Sequence, residues 1–187
     1  YPCQLLASAG LAAHWRRGEY VPYTTEELIG LLADLKPTIP PYCRVNRIVR
    51  DIPSGNVIAG NRRTSLRMDA QRELARRGDR CACIRCREVR ARPLQPGDLR
   101  LEDYVYGAGA AEEHFLSYVT PEDGLAGYVR LSLPGPDNPR LGMGDLQGAA
   151  LVRELHVYGE SLALGVEDPH AAQHAGLGRR LMGEAEE

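Results

Sequence analysis

The stretch from Gln173 to Glu187, QHAGLGRRLMGEAEE, constrains the fold most, because it sets a Gln-x-x-Gly-x-Gly turn directly in front of a helix. Glycines there let the backbone approach a ligand closely and turn free amide N–H groups toward an anion. The aligned peptides put roughly half a positive charge at the helix N-terminus, so a diphosphate is the natural guest. A Rossmann loop would read Gly-x-Gly-x-x-Gly and a P-loop would close on Gly-Lys-Ser/Thr, and neither is present. Such a turn needs a strand before it. Residues 148–159, GAALVRELHVYG, supply a long apolar run whose Val, Leu and Tyr content predicts a buried central strand, joined to the turn by a long loop.

Upstream, Thr24 with Glu27 reads as a capping box opening a helix whose Leu28, Leu31, Leu32 and Leu35 share a face, ended by Pro37. CRVNRIVRD, Cys43 to Asp51, predicts a strand running into an IPSG turn. A second helix is expected over Ser65 to Arg77, stopped by Gly78. RPLQPG, Arg92 to Gly97, disfavours regular structure and reads as a linker. Beyond it, strands are expected at Leu101–Tyr106, His114–Val119 and Leu125–Leu133, with a hairpin turn at Pro121–Gly124.

Cys81, Cys83 and Cys86 form C-x-C-x-x-C, a compact set of soft thiolates suited to Zn²⁺ at about 2.3 Å. Three ligands leave one tetrahedral position, which Cys43, Cys3, His14 or a residue outside the chain could fill. Five cysteines, three within six residues, fit a metal site in a reducing compartment better than a disulfide framework. No apolar run approaches the roughly 20 residues needed to span a bilayer, and no signal peptide opens the chain, so it reads as cytoplasmic with no membrane partner.

The formal charge of -2 conceals an asymmetry. Residues 44–92 carry 14 basic and 5 acidic groups, a balance of +9, whereas residues 93–187 carry 6 and 16, a balance of -10. A block of that sign and density is the footprint of a polyanion-binding surface, with Arg80, Arg85, Arg87, Arg90 and Arg92 placed to meet phosphate. The helix run Arg72, Arg76 and Arg77 has a plainer reading as a solvated face. Only one of the 23 basic residues is Lys.

The order Gln-x-x-Gly-x-Gly after a strand resembles the coenzyme A loop of the GNAT acyltransferases. RELHVYG, then DP, then QHAGLGRRLM resembles more narrowly the acetyltransferase domain of the Elongator catalytic subunit family, whose enzymes modify the wobble uridine of tRNA. WRRGEYVPYTTEELIGLLADLK, CRVNRIVRDIPSGNVIAGNRRTSLR, CACIRCREV and FLSYV resemble that family in the same order. The resemblance implies an α/β fold in which residues 1–78 end a radical S-adenosylmethionine partial barrel. Residues 79–97 would be a zinc-binding linker, and residues 98–187 the front part of a GNAT domain with a mixed sheet and helices. Isolated barrel units lack partners for their apolar faces, so the first segment is expected to need upstream strands.

The resemblance further implies acetyl-CoA contacts at Glu154, Leu155, His156 and Val157 and at Gln173, His174, Gly176, Leu177, Gly178 and Arg179, with zinc on Cys81, Cys83 and Cys86. It implies tRNA as partner of the 44–92 block, and a homodimer or larger complex as assembly. In the family, acetyl-CoA yields a 5-carboxymethyluridine through an adenosyl radical made at a [4Fe-4S] cluster with S-adenosylmethionine. The cluster's cysteines have a different, wider spacing than Cys81, Cys83 and Cys86 and lie upstream in the family, so this chain alone is expected to be inactive. The tyrosine that GNAT enzymes commonly set near the thiolate leaving group would lie after Glu187, and no catalytic residue is assigned. His156 reads better as a structural histidine than as a proton carrier. Two other readings stay open: a standalone N-acetyltransferase, on the glycine turn without radical cysteines, and a noncatalytic zinc RNA-binding module, on the basic block.

Overall fold

The computed structural model describes residues 1–90, 94–135, 144–159 and 176–187. They divide into two compact units, Tyr1–Cys86 and Arg87–Glu187, and the division falls inside the span 79–97 expected as a linker.

In the first unit, β1 (Gln4–Leu6) pairs antiparallel with β2 (Val57–Gly60), burying Leu5 and Val57. Between them lie α1 (Leu11–Arg16) and α2 (Thr25–Leu35). The capping box at α2 forms as expected: the Glu27 N–H donates to the Thr24 hydroxyl at 3.2 Å, and the Thr24 N–H donates to the Glu27 carboxylate at 2.7 Å. Such a cap is worth about 1 kcal/mol. Leu28 is buried, but Leu31 and Leu35 are 42% and 50% exposed, and Ala33 takes the inner position instead. The leucine stripe is therefore only partly used, because no described element covers its outer part.

α3 (Leu66–Arg77) buries Leu66, Ala70 and Leu74 at four-residue spacing and packs against α2. It closes on left-handed Gly78, whose N–H reaches Ala75 while the Asp79 N–H reaches Leu74. α4 (Ile84–Arg87) is a single turn. The strand expected at Cys43–Asp51 is absent: the segment carries no ladder. β2 takes β1 as its partner, and the segment's carbonyls are met otherwise, Cys43 O by the Ile84 N–H at 2.9 Å and Val45 O by Arg67 Nη2 at 2.6 Å.

The second unit is a four-stranded sheet in the order β3-β4-β5-β6: β3 (Arg100–Ala108), β4 (Ala111–Val119), β5 (Leu125–Pro134) and β6 (Leu151–Val157), every neighbouring pair antiparallel. A single parallel bridge joins Glu88 to Leu125. The three strands expected from the alternating pattern are all present, each slightly longer than read. α5 (Leu177–Glu186) packs on the face that carries Tyr118, Gly127, Leu155 and Val157. Leu177 and Leu181 are fully buried there, worth roughly 1.5–3 kcal/mol each. Gly127 makes the fit possible, since a Cβ on it would lie 3.0 Å from His156 O and 3.3 Å from Leu181 Cδ1.

β6 forms where the apolar run predicted a strand, yet among the described residues it is an edge strand, with Leu151 and Leu155 52% and 41% exposed. The expectation of a buried central strand is corrected here: no described strand lies on its far side. No described helix is long and apolar enough to cross a membrane.

Candidate functional site

The three cysteines converge. Their Sγ atoms all lie within 4.8 Å of one another, with Cys81 and Cys83 buried and Cys86 half-buried, on a core made with Ala33 and Leu74 and flanked by Ile39 and Val45. The C-x-C-x-x-C spacing achieves this because α4 turns the chain back, bonding the Cys86 N–H to Cys83 O at 2.9 Å. Hydrogen bonds from Cys81 and Cys86, then backbone N–H groups of Cys86 and Val45, hold the Cys83 thiol well below its usual value. The same sulfur contacts, with burial, push Cys81 up. Three sulfurs and converging N–H donors suit one thiophilic ion. Among the described residues no His, Cys, Asp or Glu atom adds a fourth donor to the cluster. Of the expected candidates, His14 is engaged by Glu19 at 2.7 Å, and Cys43 adjoins the site through its carbonyl.

Sequence reasoning passed over the chain's one lysine. Lys36 is 1% exposed, and its Nζ donates to Cys86 Sγ at 3.7 Å. Gln71 Nε2 approaches the same sulfur at 3.8 Å. The signal was compositional: a chain that uses arginine everywhere else departs from the habit at this position.

The basic block is more internally paired than its charge suggests. Arg63 and Arg72 bind Asp69, Arg76 and Arg77 bind Glu73, and Arg77 also reaches Asp34 at 2.6 Å. These ion pairs support the plainer reading of the α3 arginines. Arg87, expected to meet phosphate, is instead buried against Asp123 at 3.3 Å, both residues belonging to the second unit. Arg92 lies outside the described residues. A groove of about 290 Å³ lies between residues 46–51 and the start of α3, lined by Asn46, Arg47, Arg50, Asp51, Ser65 and Arg67, with Arg47 paired to Asp51. Arg67 Nη1 is buried there without a hydrogen-bond partner, while Arg50 lies over the Tyr1 ring at 5.3 Å.

At the glycine turn, Gly176 caps α5 in the left-handed conformation, φ 66°, which a residue with a Cβ adopts reluctantly. The first intrahelical bond runs from the Arg180 N–H to Gly176 O, which leaves the N–H groups of Leu177, Gly178 and Arg179 ahead of it. Gly178 faces β6: a Cβ there would meet Val157 at 3.8 Å and Leu155 at 3.9 Å. Arg179 is exposed. Gln173 and His174 lie outside the described residues.

The four β6 candidates split between the two sheet faces. Leu155 and Val157 face α5, whereas Glu154 and His156 lie on the opposite face, across from Arg130 and Tyr128. The Glu154 carboxylate accepts from the Tyr128 hydroxyl at 2.5 Å and from Arg130 Nε at 3.0 Å. Burial works to raise its pKa, but those two hydrogen bonds outweigh it and hold the carboxyl below its usual range, while burial and the carboxylate push the Tyr128 hydroxyl up. Arg130 lies over the Phe115 and Tyr128 rings and also donates to Tyr106. Glu154 is thus an anchored anion rather than a base. His156 packs on Tyr158, ring centroids 4.4 Å apart, and stacks on Tyr128. Sequence reading could not find this network, since it depends on cross-strand register.

A family profile described as the Radical_SAM C-terminal domain matches residues 1–76. The tRNA uridine(34) acetyltransferase of Dehalococcoides mccartyi (strain CBDB1) is 41% identical over 189 residues, covering 100% of this chain and 41% of that protein. Elongator complex protein 3 of Mus musculus is 38% identical over 194 residues, covering 100% of this chain and 35% of its own length. Among solved structures, the archaeal Methanocaldococcus infernus Elp3 with N-terminus deletion (1-46) superposes with a TM-score of 0.84 at 36% identity, covering 100% of this chain and 45% of that one. The chain therefore spans less than half the length of the proteins it matches.

Proposed function

The chain belongs to the Elongator catalytic subunit family, and we propose that it serves tRNA wobble-uridine modification by binding acetyl-CoA, holding a structural zinc ion and offering part of the tRNA surface. The relatives' names, a tRNA uridine(34) acetyltransferase and Elongator complex protein 3, support the reaction class. The observation that carries the acetyl-CoA assignment is the seating of the first turn of α5 on the edge strand β6, through Gly178 against Leu155 and Val157.

Among the described residues no strand pairs with the far side of β6, and its backbone groups from Glu154 to Val157 would take the pantetheine amides. The N–H groups of Leu177, Gly178 and Arg179, with Gln173 and His174 ahead of them, would take the pyrophosphate, helped by the Arg179 guanidinium. Zinc would sit on Cys81, Cys83 and Cys86 and clamp the end of the first unit. The groove with Arg47, Arg50 and Arg67 is the part of the basic block best suited to phosphates of tRNA. The carboxymethyl product belongs to the same proposal, as does the pair of S-adenosylmethionine and a [4Fe-4S] cluster, which supplies an adenosyl radical when bound. The three cysteines do not fit that cluster: their sulfurs converge on one point, as a single ion requires, and two of them are enclosed.

Gly178→Glu tests the acetyl-CoA assignment. A glutamate in the first turn suits the helix dipole, and its charge repels the pyrophosphate. Because a Cβ there lies against Val157 and Leu155, circular dichroism and the thermal midpoint of the variant are compared with wild type to show that α5 is retained. Calorimetric titration should show acetyl-CoA affinity reduced at least about tenfold, a change of about 1.4 kcal/mol. Unchanged affinity would remove the turn from the site.

A further inference from the structure

Lys36 is fully enclosed, yet among the described residues no carboxylate lies within ion-pair distance of its ammonium. Its one described side-chain partner is Cys86 Sγ, at 3.7 Å. A buried ammonium without a counter-charge is strongly unfavourable, and so is a cluster of thiolates packed within 4.8 Å of one another. Each explains the other once a divalent ion is present. Three thiolates on a divalent ion leave one negative charge, and Lys36 carries one positive charge in hydrogen-bond reach of a ligand sulfur. The chain's choice of lysine fits, since arginine supplies the other 22 of the 23 basic residues. An ammonium is a more compact cation than a planar guanidinium. Lys36 also caps the C-terminal end of α2, where the helix dipole favours a cation.

We infer that Lys36 is a positioning residue of the metal site: its buried ammonium donates to the Cys86 thiolate and balances the charge of a three-thiolate divalent metal centre. Lys36 is not itself a ligand, because an ammonium has no lone pair to give. Gln71, as a neutral donor to the same sulfur, shares the hydrogen bonding but not the charge. The inference rests on the zinc reading above and extends it to a residue outside the cysteine motif.

The test compares the wild-type protein at its natural length with Lys36→Met, an apolar side chain of similar length. Zinc affinity is measured by competition with a chromophoric chelator, and thermal midpoints are recorded for zinc-loaded and zinc-free forms. Lys36→Met should bind zinc at least about tenfold more weakly, while its zinc-free form melts at or above the zinc-free wild type, because the uncompensated ammonium is gone. Lys36→Gln, which keeps an N–H donor without the charge, gives the same comparison and serves if the Met variant fails to fold. Zinc affinity unchanged in either folded variant would overturn the inference, as would an equal loss of stability with and without metal, which marks an ordinary packing role. Wild-type protein that takes up no zinc would instead sink the metal reading itself.

Discussion

His114 shows how a single residue's environment becomes a measurable pH dependence. Its Nδ1 pairs with Asp103 at 2.7 Å and its Nε2 with Glu112 at 3.3 Å, and the Asp103 hydrogen bond, opposed by burial, raises its pKa above the usual 6.5. A raised folded-state pKa adds stability that is fully present below about pH 6.5 and is lost as pH rises through the folded value. Wild type should therefore exceed His114→Gln in unfolding free energy by more at pH 5.5 than at pH 9, read by urea denaturation; an advantage equal at both pH values would contradict the pairing. The sequence displayed some contacts of this scale and hid others. Thr24 with Glu27 and the stop at Gly78 were legible because capping is local in sequence. Lys36 against Cys86, fifty positions apart, and Glu154 against Tyr128 were not, because burial and register decide them.

Elements were legible where periodicity was strong. The three alternating strands and the helix before Gly78 form as expected, whereas the alternation in Cys43–Asp51 produced no strand because no described neighbour pairs with it. The short β1 and β2 passed unread, being too brief to show a period. The apolar content of β6 identified the strand but not its place in the sheet, since Leu151 and Leu155 stay exposed at an edge. α5 is the element on which the ligand site depends, and it is held by Leu177 and Leu181. Leu181→Ala should destabilise the second unit by about 3 kcal/mol, within the range for truncating a buried leucine. Chemical denaturation followed by fluorescence checks this, and a loss under about 1 kcal/mol would mean that α5 is not docked as described.

For the whole molecule, charge and chemistry are segregated along the chain. The basic excess of residues 44–92 lies mostly within Tyr1–Cys86, and the candidate acetyl-CoA elements lie within Arg87–Glu187. The cysteine motif closes the first unit, which gives a structural metal a reason to sit where one unit ends. The resemblance to the family was legible from motifs spread along the chain, while the pairing of so many arginines with their own unit's carboxylates was not. Nucleoside mass spectrometry of tRNA from source cells carrying Gly178→Glu tests the central claim most directly. The account predicts that the C5-modified wobble uridine disappears while unmodified uridine accumulates. An unchanged level of the modified nucleoside, with the variant protein present at normal abundance, would contradict it.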